Sequence, residues 1–277
     1  MLDSQRILLG ILISSAIGAI AYRRGSLSRS GWLGAIITGT IIFGAGGWPH
    51  GITLVFFFVS STLLSRWRTA YKATLERQVF EKGSQRDIWQ ALANAGVATI
   101  GCVLLVALPA DAIIWHMLFA GAMATVAADT WATELGVLAK TPPRLITTWD
   151  AVPRGTSGAI SLAGTLATAA GALATSAVFW GCLAVFTDTP LTTSPGLAIT
   201  VAGGAGIIGS LSDSLLGATV QRSFTTPNGP SERAYAPDGT PYPLRSGWMW
   251  VNNDVVNAVS SACGALVGAG CWWLFVR

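Results

Sequence analysis

Four carboxylates carry the clearest capacity for chemistry in this sequence. Asp129 and Glu134 close a long apolar stretch in Ala128-Asp-Thr-Trp-Ala-Thr-Glu-Leu-Gly136. Asp213 lies near the end of another, in Gly209-Ser-Leu-Ser-Asp-Ser-Leu-Leu-Gly-Ala-Thr-Val-Gln221, and Asp254 opens a third, in Asn252-Asn-Asp-Val-Val-Asn257. Where such stretches cross a membrane, an ionised acid costs at least about 2.5 kcal/mol, so it faces a cavity or a partner. A single acid could do no more than pair with a loop arginine. Acids from three stretches at one depth form an oxygen-rich set instead. That suits Mg²⁺, which binds through one or two carboxylates plus substrate phosphates. Asp129, Glu134, Asp213 and Asp254 are the candidate catalytic residues, with Asp129, Asp213 and Asp254 as candidate metal ligands.

Polar residues at helical spacing accompany the acids. Gly217 and Gln221 follow Asp213 at four and eight residues, on the face that also holds Gly209. Asn253 and Asn257 are four apart beside Asp254, and Arg86, Gln90 and Asn94 form one polar edge. Thr130 and Ser214 neighbour the acids. Amides of this kind also serve as interhelical hydrogen bonds, so the spacing alone leaves both uses open. Before a further apolar stretch stands Pro153-Arg-Gly-Thr-Ser-Gly158. The free N–H groups at a helix N-terminus favour anions, and glycines permit close backbone approach. Arg154, Gly155, Thr156, Ser157 and Gly158 are thus either an ordinary N-cap or, beside a carboxylate cluster, a phosphate cradle. Lys82 and Arg86 belong to a basic segment with Arg66, Arg68, Lys72 and Arg77. That segment suits anionic lipid head groups or substrate phosphates.

Membrane helices are the elements that must position these groups. Of 277 residues, 52% are hydrophobic and 11% charged, against about 25% charged in soluble domains. Apolar runs at about Ile7–Tyr22, Trp32–Trp48, Gly51–Leu64, Ala91–Leu108, Ala112–Ala128, Ala159–Phe186, Leu197–Leu216 and Val255–Val276 predict an all-α polytopic bundle. It has about eight transmembrane helices, and residues 1–277 form one transmembrane domain. The first run reads as a retained helix, because Arg23 and Arg24 follow it rather than precede it. Fifteen of the 17 Lys and Arg fall in the loops 23–31, 65–90, 131–157 and 219–250, leaving only Arg6 and Arg277 on the other side. The positive-inside rule then predicts both termini outside and the acids on the cytoplasmic side of a cell membrane. The net charge of +4 is accounted for by these loops, and nucleic acid is not an expected partner. Cys102, Cys182, Cys263 and Cys271 lie in apolar runs without a CxxC pair, which argues against disulfides and a zinc site. His50 and His116 fall away from the acids. Walker A, kinase HRD or DFG, and GxSxG patterns are absent from the sequence.

At these residues the sequence resembles the membrane-protein family that includes the plant phytyl-phosphate kinase of tocopherol synthesis and animal transmembrane protein nineteen. The carriers are Arg86…Gln90…Asn94, the Asp129–Gly136 string, Gly155-Thr-Ser-Gly-Ala159, the Gly209–Ala218 string with Gln221, and Asn252-Asn-Asp254 with Asn257. The pattern departs at Asp87, where Asn is expected, and at Ala95, where Gly is common. The resemblance implies a multi-helix kinase. It would phosphorylate a prenyl monophosphate, such as phytyl or geranylgeranyl phosphate, to the diphosphate with CTP or another nucleoside triphosphate and Mg²⁺. Partners would be the prenyl phosphate, the nucleotide and membrane lipids, with a homo-oligomer left open. Two other classes compete. A transporter with a cytoplasmic-side acidic site would need a polar path from Asp129 toward His116. A non-catalytic scaffold would tolerate replacement of each acid.

Overall fold

The computed structural model describes residues 4–67, 85–187, 194–227 and 229–276. Lys82, Arg68, Lys72 and Arg77, expected in the basic segment, lie outside these residues. The helices in chain order are α1 (Ser4–Arg23), α2 (Arg29–Ile41), α3 (Gly47–Arg66), α4 (Ile88–Ala107), α5 (Ala112–Gly136), α6 (Leu162–Phe186), α7 (Pro195–Thr219) and α8 (Asn253–Phe275). A π-helical turn, Ile42–Gly46, joins α2 to α3. Two small antiparallel sheets complete the described structure. One pairs β1 (Arg144–Leu145) with β2 (Ala159–Ile160), and the other sets β3 (Ser223–Thr226) between β4 (Gly229–Ser231) and β5 (Leu244–Ser246).

Seven stretches are long and apolar enough to cross a membrane, and Arg29–Arg66 counts as one of them. Run straight, its 38 residues would separate their ends by roughly 55 Å. Yet the Arg66 guanidinium donates to the Arg24 carbonyl at 2.6 Å and to Ser26 Oγ at 3.0 Å, just before α2 begins. The stretch therefore folds back on itself. The reversal falls at Gly46 and Gly47, and Gly47 adopts φ 73°, a conformation that disfavours any side chain. The described residues thus make eight crossings, with both described ends on one side and the described basic loops on the other.

The helices that start at the basic end are tightly specified. Ser28, Asp87, Ser161 and Asn252 each accept a backbone N–H as N-cap of α2, α4, α6 and α8, and Asp87 with Gln90 makes a full capping box. The helices entered from the opposite end, α3, α5 and α7, have no side-chain cap. Asp87, a departure from the expected pattern, is thereby explained: its carboxylate starts α4.

Helix α5 is the hub, packed by α4, α6, α7 and α8, and every residue from Met117 to Ala128 is buried. Small residues allow this closeness. A Cβ on Gly121 would stand 2.5 Å from the Gly264 carbonyl oxygen, and Cβ atoms on Gly209 or Gly264 would collide with Thr125 Oγ1. Exposed indoles mark the membrane boundary: Trp67, Trp89, Trp149, Trp248 and Trp250 near the basic end, Trp48 and Trp273 near the other.

Candidate functional site

A cavity of about 320 Å³ opens at the basic end among α4, α5, α6, α7, α8 and the β1–β2 loop. Asp129 and Glu134 reach it from α5, Asp213 from α7 and Asp254 from the first turn of α8. Arg86, Gln90, Asn94, Thr130, Arg154, Gly155, Thr156, Ser157, Gly158, Ser214, Asn253 and Asn257 line the same space. Three of the residues singled out in the sequence do not. Lys82 lies outside the described residues, while Gly217 and Gln221 stand one layer behind.

Asp129 and Asp213 form the deepest pair, their carboxyl groups in hydrogen-bond contact. Two ionised carboxylates so close repel, and a shared proton or a cation between them relieves the repulsion. Ser260 of α8 orients the pair through its Oγ, 2.9 Å from Asp213 Oδ2. Asp254 shares the cavity but not this contact. Among the described residues no group of three or more His, Cys, Asp or Glu is close enough to hold a metal ion unaided. The Asp129–Asp213 pair alone still fits Mg²⁺, which takes its remaining ligands from water and phosphates. It does not fit a structural zinc, which needs four protein ligands.

Glu134 accepts a short hydrogen bond from Ser65 of α3. Its charge also acts on Arg86. Burial pushes the Arg86 guanidinium down from its ordinary value, and Glu134 partly offsets this. The Arg86 backbone is fixed by the α1–α2 connection, its N–H donating to Ser26 O at 3.1 Å and its carbonyl accepting from Ser28 N at 3.0 Å. The guanidinium lies 5.9 and 6.0 Å from the ring centroids of Phe57 and Phe58.

The glycine loop differs from expectation in one respect. Thr156 and Ser157 do not cap α6, because β2 intervenes and Ser161 is the cap, accepting from Gly164 N at 3.1 Å. The loop is instead the tip of a β-ribbon, with Gly155 at φ 84° and Gly158 at φ 77°. Thr156 Oγ1 donates to Pro153 O at 2.8 Å, and Ser157 Oγ donates to Gln221 Oε1 at 2.9 Å. Gln221 lies past the end of α7, not on it, and is 3% exposed; its Nε2 donates to Glu232 Oε1 at 2.8 Å. Gly217 is the flat place on α7 against which Gly158 rests, a Cβ there standing 2.9 Å from Gly158 N.

Several lining residues escaped the sequence reading. Thr133 lies four after Asp129, and Ser161, Thr165 and Thr168 lie at helical spacing on α6, a stripe that the spacing rule could have found. Ser65 and Glu232 carry no local signal. Ser65 comes to the cavity against Glu134, 69 residues on, and Glu232 against Gln221, 11 residues before it.

With this geometry the comparisons can be placed. Residues 12–265 match the family described as integral membrane protein DUF92. The chain belongs to that family. Relatives include Protein PGR of Arabidopsis thaliana, 33% identical over 79% of this chain and 80% of its own length. An uncharacterised membrane protein of Methanocaldococcus jannaschii is 28% identical over 95% of this chain and 93% of its own length. Protein VTE6, chloroplastic, also of Arabidopsis thaliana, is 28% identical over 87% of this chain and 64% of its own length. No solved structure matches. Like the rest of the DUF92 family, the chain is an integral, multi-pass membrane protein, and the family match runs through every helix that lines the cavity.

Proposed function

We propose that this protein is a Mg²⁺-dependent phosphotransferase of the cytoplasmic membrane face. It moves the terminal phosphoryl group of CTP or another nucleoside triphosphate onto a prenyl monophosphate such as phytyl or geranylgeranyl phosphate. The observation that carries the reading is the composition of one cavity. It combines the Asp129–Asp213 pair, a glycine loop with positive φ at Gly155 and Gly158, and two arginines at the membrane boundary. The motif resemblance to the family of the plant phytyl-phosphate kinase, with Protein VTE6 among the relatives, points the same way.

Charge supports the choice. Five carboxylates, Glu232 included, face two guanidinium groups in the cavity. An anionic substrate would be repelled unless cations entered with it. Mg²⁺ held in the cavity would supply charge to offset that of the nucleotide and the transferring group. Asp129 and Asp213 would hold it, kept in position by Ser260. The acceptor is itself a phosphate with a second pKa of about 6, so its attacking oxygen is already ionised near neutral pH. The terminal P–O bond of the nucleotide breaks as that oxygen bonds to phosphorus, leaving a nucleoside diphosphate and a prenyl diphosphate. Neither a covalent nucleophile nor a strong base is required, and positioning with electrostatic stabilisation suffices. Arg86 and Arg154 would bind phosphate oxygens, and the ribbon tip would cradle the nucleotide.

The transport reading gains no path along α5 itself. Between Asp129 and His116 the only polar side chain on α5 is Thr125, whose hydroxyl donates to the Gly121 carbonyl. His116 instead meets His50 at 3.2 Å amid Phe119 and Phe179, at the far end of the bundle. The deciding experiment incubates purified protein with labelled CTP, other nucleotides in turn, Mg²⁺ and phytyl or geranylgeranyl phosphate. Diphosphate product is expected. Its absence across nucleotides and chain lengths overturns the proposal.

A further inference from the structure

A second, apolar recess adjoins the cavity and shares two lining residues with it, Arg86 and Asn94. Its cause lies in the α2–α3 hairpin. The two helices meet mainly through the π-helical turn that joins them and pack little against each other along their lengths. The wedge between them is walled by Ala35 and Thr38 of α2, Leu54 and Phe58 of α3, and Ile17 of α1. Phe43, in the turn itself, closes the narrow end. It is 5% exposed and is held edge-on by Trp48 at 6.1 Å. From Ala35 to Phe43 the wedge extends roughly 12 Å along α2.

We propose that this wedge holds the hydrocarbon tail of a lipid phosphate, with the phosphate at Arg86 and Asn94 and the tail end against Phe43. The assignment rests on the phosphotransferase reading for its head group and adds the tail site and its length limit. The chemistry changes along the path as an amphiphile requires. Polar and charged groups line the cavity, a guanidinium sits at the junction over Phe57 and Phe58, and apolar side chains line the wedge. Burying a tail there gains the apolar transfer free energy, while Arg86 supplies the charge that anchors the phosphate. Because the hairpin turn is fixed by the conformation of Gly47, the closed end does not slide. Chain length is therefore read by the distance from Arg86 to Phe43.

The test uses the full chain in nanodiscs and a geranylgeranyl-length alkyl phosphate carrying a mid-chain diazirine, irradiated without nucleotide. Peptide mapping should place the label on Ile17, Leu54 or Phe58. Ala35→Phe fills the wedge and should cut that label about tenfold. Phe43→Ala opens the narrow end and should admit a probe one isoprene unit longer than geranylgeranyl, which labels the native wedge weakly. Label confined to outward residues such as Leu12 or Ile20, and indifferent to Ala35→Phe, overturns the tail site. Labelling needs no turnover, so the two readings fail separately. A labelled wedge without diphosphate product sinks the kinase, and product with the label only outside sinks the wedge.

Discussion

Gly158 rests on the last turn of α7 with no room for a side chain, since a Cβ there would stand 2.6 Å from Ala218 Cα and closer still to its nitrogen. Its φ of 77° disfavours a side chain independently. The ribbon tip is thereby pressed onto the helix that carries Asp213. Gly158→Ala should push the tip away and lower kcat/KM by at least about tenfold, because misplacing a positioning group by about 1 Å costs up to a hundredfold. Gly96→Ala provides the contrast, as a Cβ there meets nothing within 4 Å. It should leave turnover unchanged and raise thermal stability slightly, since alanine is the better helix former. Equal activity of the two variants would remove the loop from the mechanism.

Asp129→Asn and Asp213→Asn each take one charge from the contact pair while keeping its shape. Both variants should elute as folded protein and lose roughly a thousandfold in transfer rate, the scale found when a key electrostatic group is removed. Ser260→Ala removes only the hydroxyl that steadies Asp213 and should cost about tenfold. A Mg²⁺ titration checks the assignment, since Ser260→Ala should shift the half-saturating concentration upward. Normal turnover by both Asn variants would move the chemistry elsewhere.

Hydropathy and charge made the bundle legible because burial in lipid writes itself into every residue of a span. The start of α5 at Ala112 and the end of α6 at Phe186 coincide with the sequence boundaries. The apolar run of α5 ends at Ala128, and the helix continues to Gly136 through the acids expected to close it, its last turns polar toward the cavity rather than exposed to lipid. The acids and amides were readable because each stood out against an apolar background. Ser65 and Glu232 were not, for a lone hydroxyl or carboxylate looks ordinary until its partner is known: Ser65 meets Glu134, 69 residues on, and Glu232 meets Gln221, which in turn holds Ser157 from 64 residues earlier. The wedge between α2 and α3 was hidden for a similar reason. It depends on a π-helical turn and a single positive φ, neither of which has a hydropathy signature.

Gln221 joins three pieces of chain: its own place after α7, the ribbon tip through Ser157, and the β3–β4 region through Glu232. At 3% exposure, its loss leaves buried polar atoms short of a partner, which costs about 1–3 kcal/mol. Gln221→Leu should lower thermal stability by that amount and raise the KM for nucleotide more than it lowers kcat, since the tip would lose its anchor. Gln221→Glu should be worse in both, because a second carboxylate would then face Glu232. A Leu variant with native KM and stability would show that the relay does not hold the tip.

The hairpin reading of Arg29–Arg66 sets a topological test. With the reversal at Gly46–Gly47, Ser26 and Arg66 lie on one side of the membrane, where they are hydrogen-bonded, and all later crossings follow in alternation. Counted as one span, the same residues would place α4 to α8 in the opposite orientation relative to α1. In a background with Cys102, Cys182, Cys263 and Cys271 replaced by Ala, single cysteines can be introduced at exposed Arg24, Ala110 and Thr240. A membrane-impermeant maleimide applied to intact cells should label only Ala110→Cys. The other two should react only after the membrane is opened, as expected if the positive-inside rule keeps these basic loops on the cytoplasmic side. Arg24→Cys and Thr240→Cys reacting from opposite sides would reduce the crossings to seven, separate Arg66 from Ser26, and take the wedge apart with them.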